Sequence, residues 1–160
     1  MKLLNFFKSF YEKRKKEDNK DNHGDKKLYI PWEDKYSVNI EEIDEEHKQL
    51  VHMINELYSA METGRGKEVL SLILDKLIDY VKTHFTAENI LMEEISYPGR
   101  EEHKKEHSNF IKKVLGFQKS FKEGKYGLSV EVIFYLKEWA VSINLFTTVI
   151  TDIFHIIFLY

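Results

Sequence analysis

The sequence predicts an all-α protein, an up-and-down four-helix bundle preceded by an N-terminal extended arm. Three features point there. Four long stretches carry apolar residues at alternating three- and four-residue spacings, the pattern of helices that bury one face. The 160-residue chain has only two prolines and seven glycines, so little interrupts those stretches. Short polar or Gly-containing segments separate them, which suits antiparallel neighbours in a bundle.

Residues 1–27 read as an extension. Leu3, Leu4, Phe7, Phe10 and Tyr11 fall on one helical stripe among lysines, and 18–27 are polar throughout, with His23 as a linker residue. The favoured reading of the stripe is a frayed terminal helix covering part of the bundle or nothing; contact with a membrane surface or a partner is the less favoured one, because a single short apolar face binds weakly. The apolar start is too short, and too soon followed by Lys8 and Lys13, to read as a secretory leader, so a cytoplasmic protein is expected. The domain proper is expected over 28–142, beginning with an arm around Pro31 that rests its aromatics on the helices.

The first helix is expected from about Ile40 to Gly64, with Ile43, Leu50, Ile54, Leu57 and Met61 in its seam. His47 fills the slot left in that series, whereas His52 lies about 140° round the helix and should face outward. The second, from about Lys67 to Ile95, continues Leu70, Ile73, Leu77 and Tyr80 into His84, Glu88 and Leu91. Tyr97-Pro98-Gly99 then breaks the chain. The third, from about Glu101 to Lys122, starts its seam with His103 and His107 before Phe110, Val114, Phe117 and Phe121. The fourth starts near Leu128 and turns Val132, Tyr135, Trp139 and Ile143 inward.

Four histidines and a glutamate therefore share one apolar seam, in two i/i+4 pairs and a fifth residue from the first helix. An unpaired carboxylate or imidazole there would cost several kcal/mol, so these groups must compensate one another or a cation. With no cysteine in the chain, the donor set is imidazole and carboxylate, which suits iron, manganese or zinc. Five donors exceed the needs of one tetrahedral ion, and a carboxylate flanked by imidazoles can bridge two; a dinuclear centre is the economical reading. The net charge of −3 provides no basic field for nucleic acid.

These residues carry a family resemblance. From Trp32 to about Ser142 the chain resembles the bacterial hemerythrins: Trp32, Ser37-Val38-Asn39-Ile40, Ile43-Asp44-Glu45-Glu46-His47-Lys48-Gln49-Leu50, the His84/Glu88 and His103/His107 pairs, Tyr97-Pro98 and Leu136-Lys137-Glu138-Trp139 all match, as do their separations. The resemblance implies a non-enzymatic protein holding two iron ions and binding dioxygen reversibly, for storage, delivery or sensing. It makes His47 and His84 ligands of the iron that takes dioxygen, His103 and His107 ligands of the other, and Glu88 the bridge.

The family closes its site with a His-Ile-x-x-x-Asp motif on the fourth helix, but here Ile143 and Thr148 occupy those positions. Asp152 lies one turn further on and His155 two turns. Residues 143–160 are an atypical apolar tail: either a genuine membrane- or partner-binding segment, or the result of a reading-frame change near Ser142. Three other functional readings stand beside dioxygen binding: a degenerate module with weak or mononuclear metal binding, a peroxide- or dioxygen-reactive di-iron enzyme, and a membrane-associated sensor that uses the amphipathic start and the apolar tail.

Overall fold

The computed structural model describes residues 28–37 and 40–142, apart from the Glu42 side chain. The N-terminal stripe, His23, Ile143, Thr148, Asp152 and His155 lie outside the described residues. Those described form a short arm with one 3-10 turn (Asp34–Tyr36) and four helices: α1 (Glu41–Glu62), α2 (Gly66–Glu94), α3 (Arg100–Lys122) and α4 over 128–142. No helix among them is long and apolar enough to cross a membrane.

Because neighbouring helices are antiparallel, the apolar halves of all four meet at one end of the bundle. Leu50, Ile54 and Leu57 of α1, Leu70, Ile73 and Leu77 of α2, Phe110 and Val114 of α3, and Val132 and Leu136 of α4 are all 0% or 1% exposed there. At about 25 cal/mol per Å² of buried apolar surface, this cluster drives assembly and does so without polar groups. The start of α1, the end of α2 and the start of α3 meet at the opposite end, where the expected ligands sit.

Several seam positions differ from expectation: Met61, Leu91, Phe121, Tyr135 and Trp139 are half-buried rather than buried. Leu91 is half-buried and Met92 fully buried, because a four-residue step from Glu88 tracks the 3.6-residue period better than a three-residue one at that point. On α4, Leu128, Ile133 and Leu136 join Val132 in the core, whereas Tyr135 and Trp139 are half-buried and reach in from its flank. Trp139 lies 3.9 Å from Phe110 between ring centroids, and Phe85 sits 5.8 Å from Phe110 and 5.7 Å from Trp139. These three rings separate the apolar core from the polar end.

The turn between α2 and α3 is tight. Ser96 adopts a left-handed backbone with φ of 51°, and the Tyr97 amide donates to the Met92 carbonyl at 2.8 Å, which closes α2. Tyr97 is buried, and a Cβ on Gly99 would lie 2.6 Å from its hydroxyl, so glycine is needed at that position.

Asn55 fastens the arm to α1. Its Oδ1 accepts from the amides of Tyr29 at 2.8 Å and Ile30 at 3.0 Å, and its Nδ2 donates to the Ile30 carbonyl at 2.8 Å. Tyr29 stacks on Tyr58 with centroids 4.6 Å apart, and the Ser37 hydroxyl donates to Asp44 at the far end of the arm. Asn55→Ala deprives all three backbone groups of their partner. It should lower stability by about 1 to 3 kcal/mol in urea titration and make the arm the first site of limited proteolysis; an arm as resistant as in the wild type would contradict this anchoring.

Candidate metal centre

His47 sits in the second turn of α1, one turn before Leu50, and the seam that buries Leu50 buries it too. On α2, His84 and Glu88 continue the Leu77-Tyr80 face; on α3, His103 and His107 precede Phe110 on the same stripe. The structure brings all five together. His84 and Glu88 are 0% and 1% exposed, and the other three histidines are buried as well. His52 is exposed, as its angular position required.

Glu88 divides the group in two. Its Oε1 faces His84 Nε2 at 3.5 Å and His47 Nε2 at 4.0 Å, while its Oε2 faces His103 Nε2 at 3.0 Å and His107 Nε2 at 2.9 Å. The result is two triads, His47/His84/Glu88 and Glu88/His103/His107, each with its donor atoms within 4.8 Å of one another. One carboxylate spans both.

The rings are held by their surroundings. His84 Nδ1 lies 2.8 Å from Glu46 Oε2, which fixes the ring so that Nε2 points at Glu88. Tyr80 stacks on the same ring at 4.9 Å between centroids, and His47 meets it edge-on at 4.9 Å. On the other side Phe85 lies flat on His107, with centroids 3.7 Å apart and planes 5° from parallel.

Sequence reasoning did not single out Glu46 or Phe85. Glu46 stands beside Glu45, whose carboxylate meets Lys48 at 2.6 Å near the surface, and nothing in their order tells which of the two turns toward α2. Phe85 adjoins His84 and was one place off the seam; it became visible only once α3 was set beside α2.

The electrostatics favour ligand-ready forms of His47 and Glu88. Burial, with the neighbouring His84 charge, lowers His47 to about 3, so its imidazole is neutral at ordinary pH. Burial alone would raise Glu88, but His84, His103 and His107 overcome it and hold the carboxyl well below its usual range. Burial also pulls His84 down, yet the Glu88 and Glu46 carboxylates outweigh it and leave that ring above its ordinary value. Burial lowers His107. Tyr80 is pushed well above 10.0 by burial and by the same two carboxylates, so it stays protonated beside the centre.

Both nitrogens of His47, His84 Nε2, Glu88 Oε1 and His107 Nδ1 are buried without a hydrogen-bond partner. Each such atom left unsatisfied costs about 1 to 3 kcal/mol. The unpartnered atoms include three metal-binding donors facing one gap, which is what a bound cation would satisfy. Imidazole nitrogen and carboxylate oxygen fit iron, and two triads sharing a carboxylate fit a pair of ions. α4 contributes no histidine or carboxylate to the centre among the described residues: Glu131 pairs with Lys125 at 2.6 Å, and Glu138 is exposed.

Comparison with known proteins places this geometry. The family model for the hemerythrin HHE cation binding domain matches residues 38–144, ending two residues past Ser142. A bacteriohemerythrin of Stenotrophomonas maltophilia is 33% identical over 110 residues, covering 69% of this chain and 71% of its own. A bacteriohemerythrin of Pseudomonas aeruginosa is 34% identical over 97 residues, 61% of this chain and 63% of its own. A myohemerythrin of Theromyzon tessulatum is 33% identical over 111 residues, 69% of this chain and 81% of its own. A crystal structure of a hemerythrin point variant superposes with a TM-score of 0.67 and 26% identity, covering 78% of this chain and 99% of the other. With the family model matching well over half of the chain, and the four helices and two His-carboxylate triads in place, this chain belongs to the hemerythrin family.

Proposed function

We propose that the protein holds two iron ions and binds dioxygen reversibly, with His47 and His84 on one ion, His103 and His107 on the other, and Glu88 between them. The observation that carries the reading is a buried carboxylate, Glu88, whose two oxygens face two separate histidine pairs. Names of relatives at 33% identity, bacteriohemerythrin and myohemerythrin, support it. A ferrous pair held by these residues would supply the electrons for reversible dioxygen binding. The chain supplies the rest: Glu88 neutralises charge from within the seam, Glu46 holds His84 through Nδ1, and the Phe85, Phe110 and Trp139 rings exclude water from one side. On this reading no substrate is turned over, and the role is storage, delivery or sensing in the cytoplasm.

Anaerobic loading with ferrous iron should give two ions per chain and a visible charge-transfer band that appears with air and disappears on deoxygenation. Less than one iron and no band would remove the proposal; steady consumption of dioxygen or peroxide would point to an enzyme instead. Glu88→Ala or His84→Ala should abolish iron binding, and His52→Ala should leave it unchanged; equal loss in all three variants would contradict the assignment.

Proton competition adds a pH dependence. His47, lowered to about 3, and Glu88, held well below the usual carboxylate range, carry no proton near neutrality, but His84 is raised. A raised imidazole holds its proton to higher pH, and the ion must displace it. As pH is lowered, iron retention measured by dialysis should therefore begin to fall while the pH is still above 6.5, the ordinary imidazole value, well before His47 or Glu88 titrates.

A further inference from the structure

We propose that the two halves of the centre fill in order: the first ion goes to His47, His84 and Glu88 Oε1, with Glu46 as the positioning residue that makes this half the tighter one. The inference rests on the metal-binding part of the reading above and concerns only how this chain's residues receive the metal.

The halves differ in what already occupies their donors. Two bonds of about 2.1 Å to one ion set the donor atoms about 3 to 4 Å apart. His84 Nε2 and His47 Nε2 stand 3.5 and 4.0 Å from Glu88 Oε1, and all three atoms lack any hydrogen-bond partner. No hydrogen bond has to break at these three atoms. Glu46 on Nδ1 at 2.8 Å holds the His84 ring with Nε2 turned toward Glu88 Oε1, and the Tyr80 ring stacked on the imidazole resists its rotation.

The other half is closed on itself. His103 Nε2 and His107 Nε2 approach Glu88 Oε2 at 3.0 and 2.9 Å, hydrogen-bond distances that require a proton on the very nitrogen a metal needs. Both hydrogen bonds must be given up before an ion can take their place. His107 cannot turn aside easily, because Phe85 lies flat against it at 3.7 Å. The second ion therefore binds more weakly, by on the order of tenfold or more.

The test titrates the metal-free full-length protein anaerobically with Co(II), following heat by calorimetry and coordination by the visible d–d bands. The expected isotherm has two steps of one ion each. His107→Ala should delete the weak step and keep the tight one; His47→Ala should delete the tight one. Glu46→Ala should weaken the tight step by about 10- to 100-fold with the far-ultraviolet circular dichroism unchanged, while Glu46→Gln, whose amide oxygen still accepts from Nδ1, restores most of it. If an alanine variant does not hold the bundle, the glutamine variant at the same histidine gives the same reading. One step of two equivalent ions would overturn the proposal, as would a tight step that survives His47→Ala and is lost in His107→Ala. Because cobalt needs no dioxygen, failure of the loading order and failure of the dioxygen band are read separately.

Discussion

A carboxylate with almost no exposed surface, set among four imidazoles, is the constraint on which the rest of this structure depends. Glu88 would be costly by several kcal/mol if left alone in an apolar seam. It is tolerated because each of its oxygens meets a separate pair of histidines, and those pairs come from three helices. The carboxylate therefore ties the bundle together where it has least apolar packing. The same feature makes the centre a pair rather than a single site, since two oxygens of one group cannot both serve one ion and still reach both pairs.

The bundle divides its tasks along its length. At one end Leu50, Ile54, Leu57, Leu70, Ile73 and Leu77 form a core that asks nothing of polar chemistry. At the other end the backbone of that core is used to aim ligands. His84 and Glu88 are rigid because α2 is anchored by its first four turns, and His103 and His107 because α3 is anchored by its last four. The rings of Phe85, Phe110 and Trp139 lie between the two regions, so a change of ligand chemistry need not disturb the packing that orients the ligands.

Much of this was legible in the sequence because burial imposes a period. The helix limits were expected near Ile40 and Gly64, Lys67 and Ile95, and Glu101 and Lys122, and the observed limits fall within a few residues of them. The five candidate ligands were legible for the same reason: they interrupt an apolar series without leaving its face. What was not legible depends on angle rather than period. Glu46 and Glu45 are equivalent in the sequence, yet one turns to His84 and the other to Lys48. Asn55 reads as an ordinary polar position on α1, and only the arm's path gives it three backbone partners.

The short turn from Ile95 to Gly99 acts as a ruler. Glu88 and His103 are 15 residues apart in sequence and 3.0 Å apart in space, and everything between them is the end of one helix, this turn and the start of the next. Adding or removing a single residue there would change the reach of the connection on which the approach of both α3 imidazoles to the carboxylate depends. A left-handed serine and a glycine pressed against a buried tyrosine are therefore the cost of fixed length. In this fold the loop is as much a part of the centre as the residues that point into it.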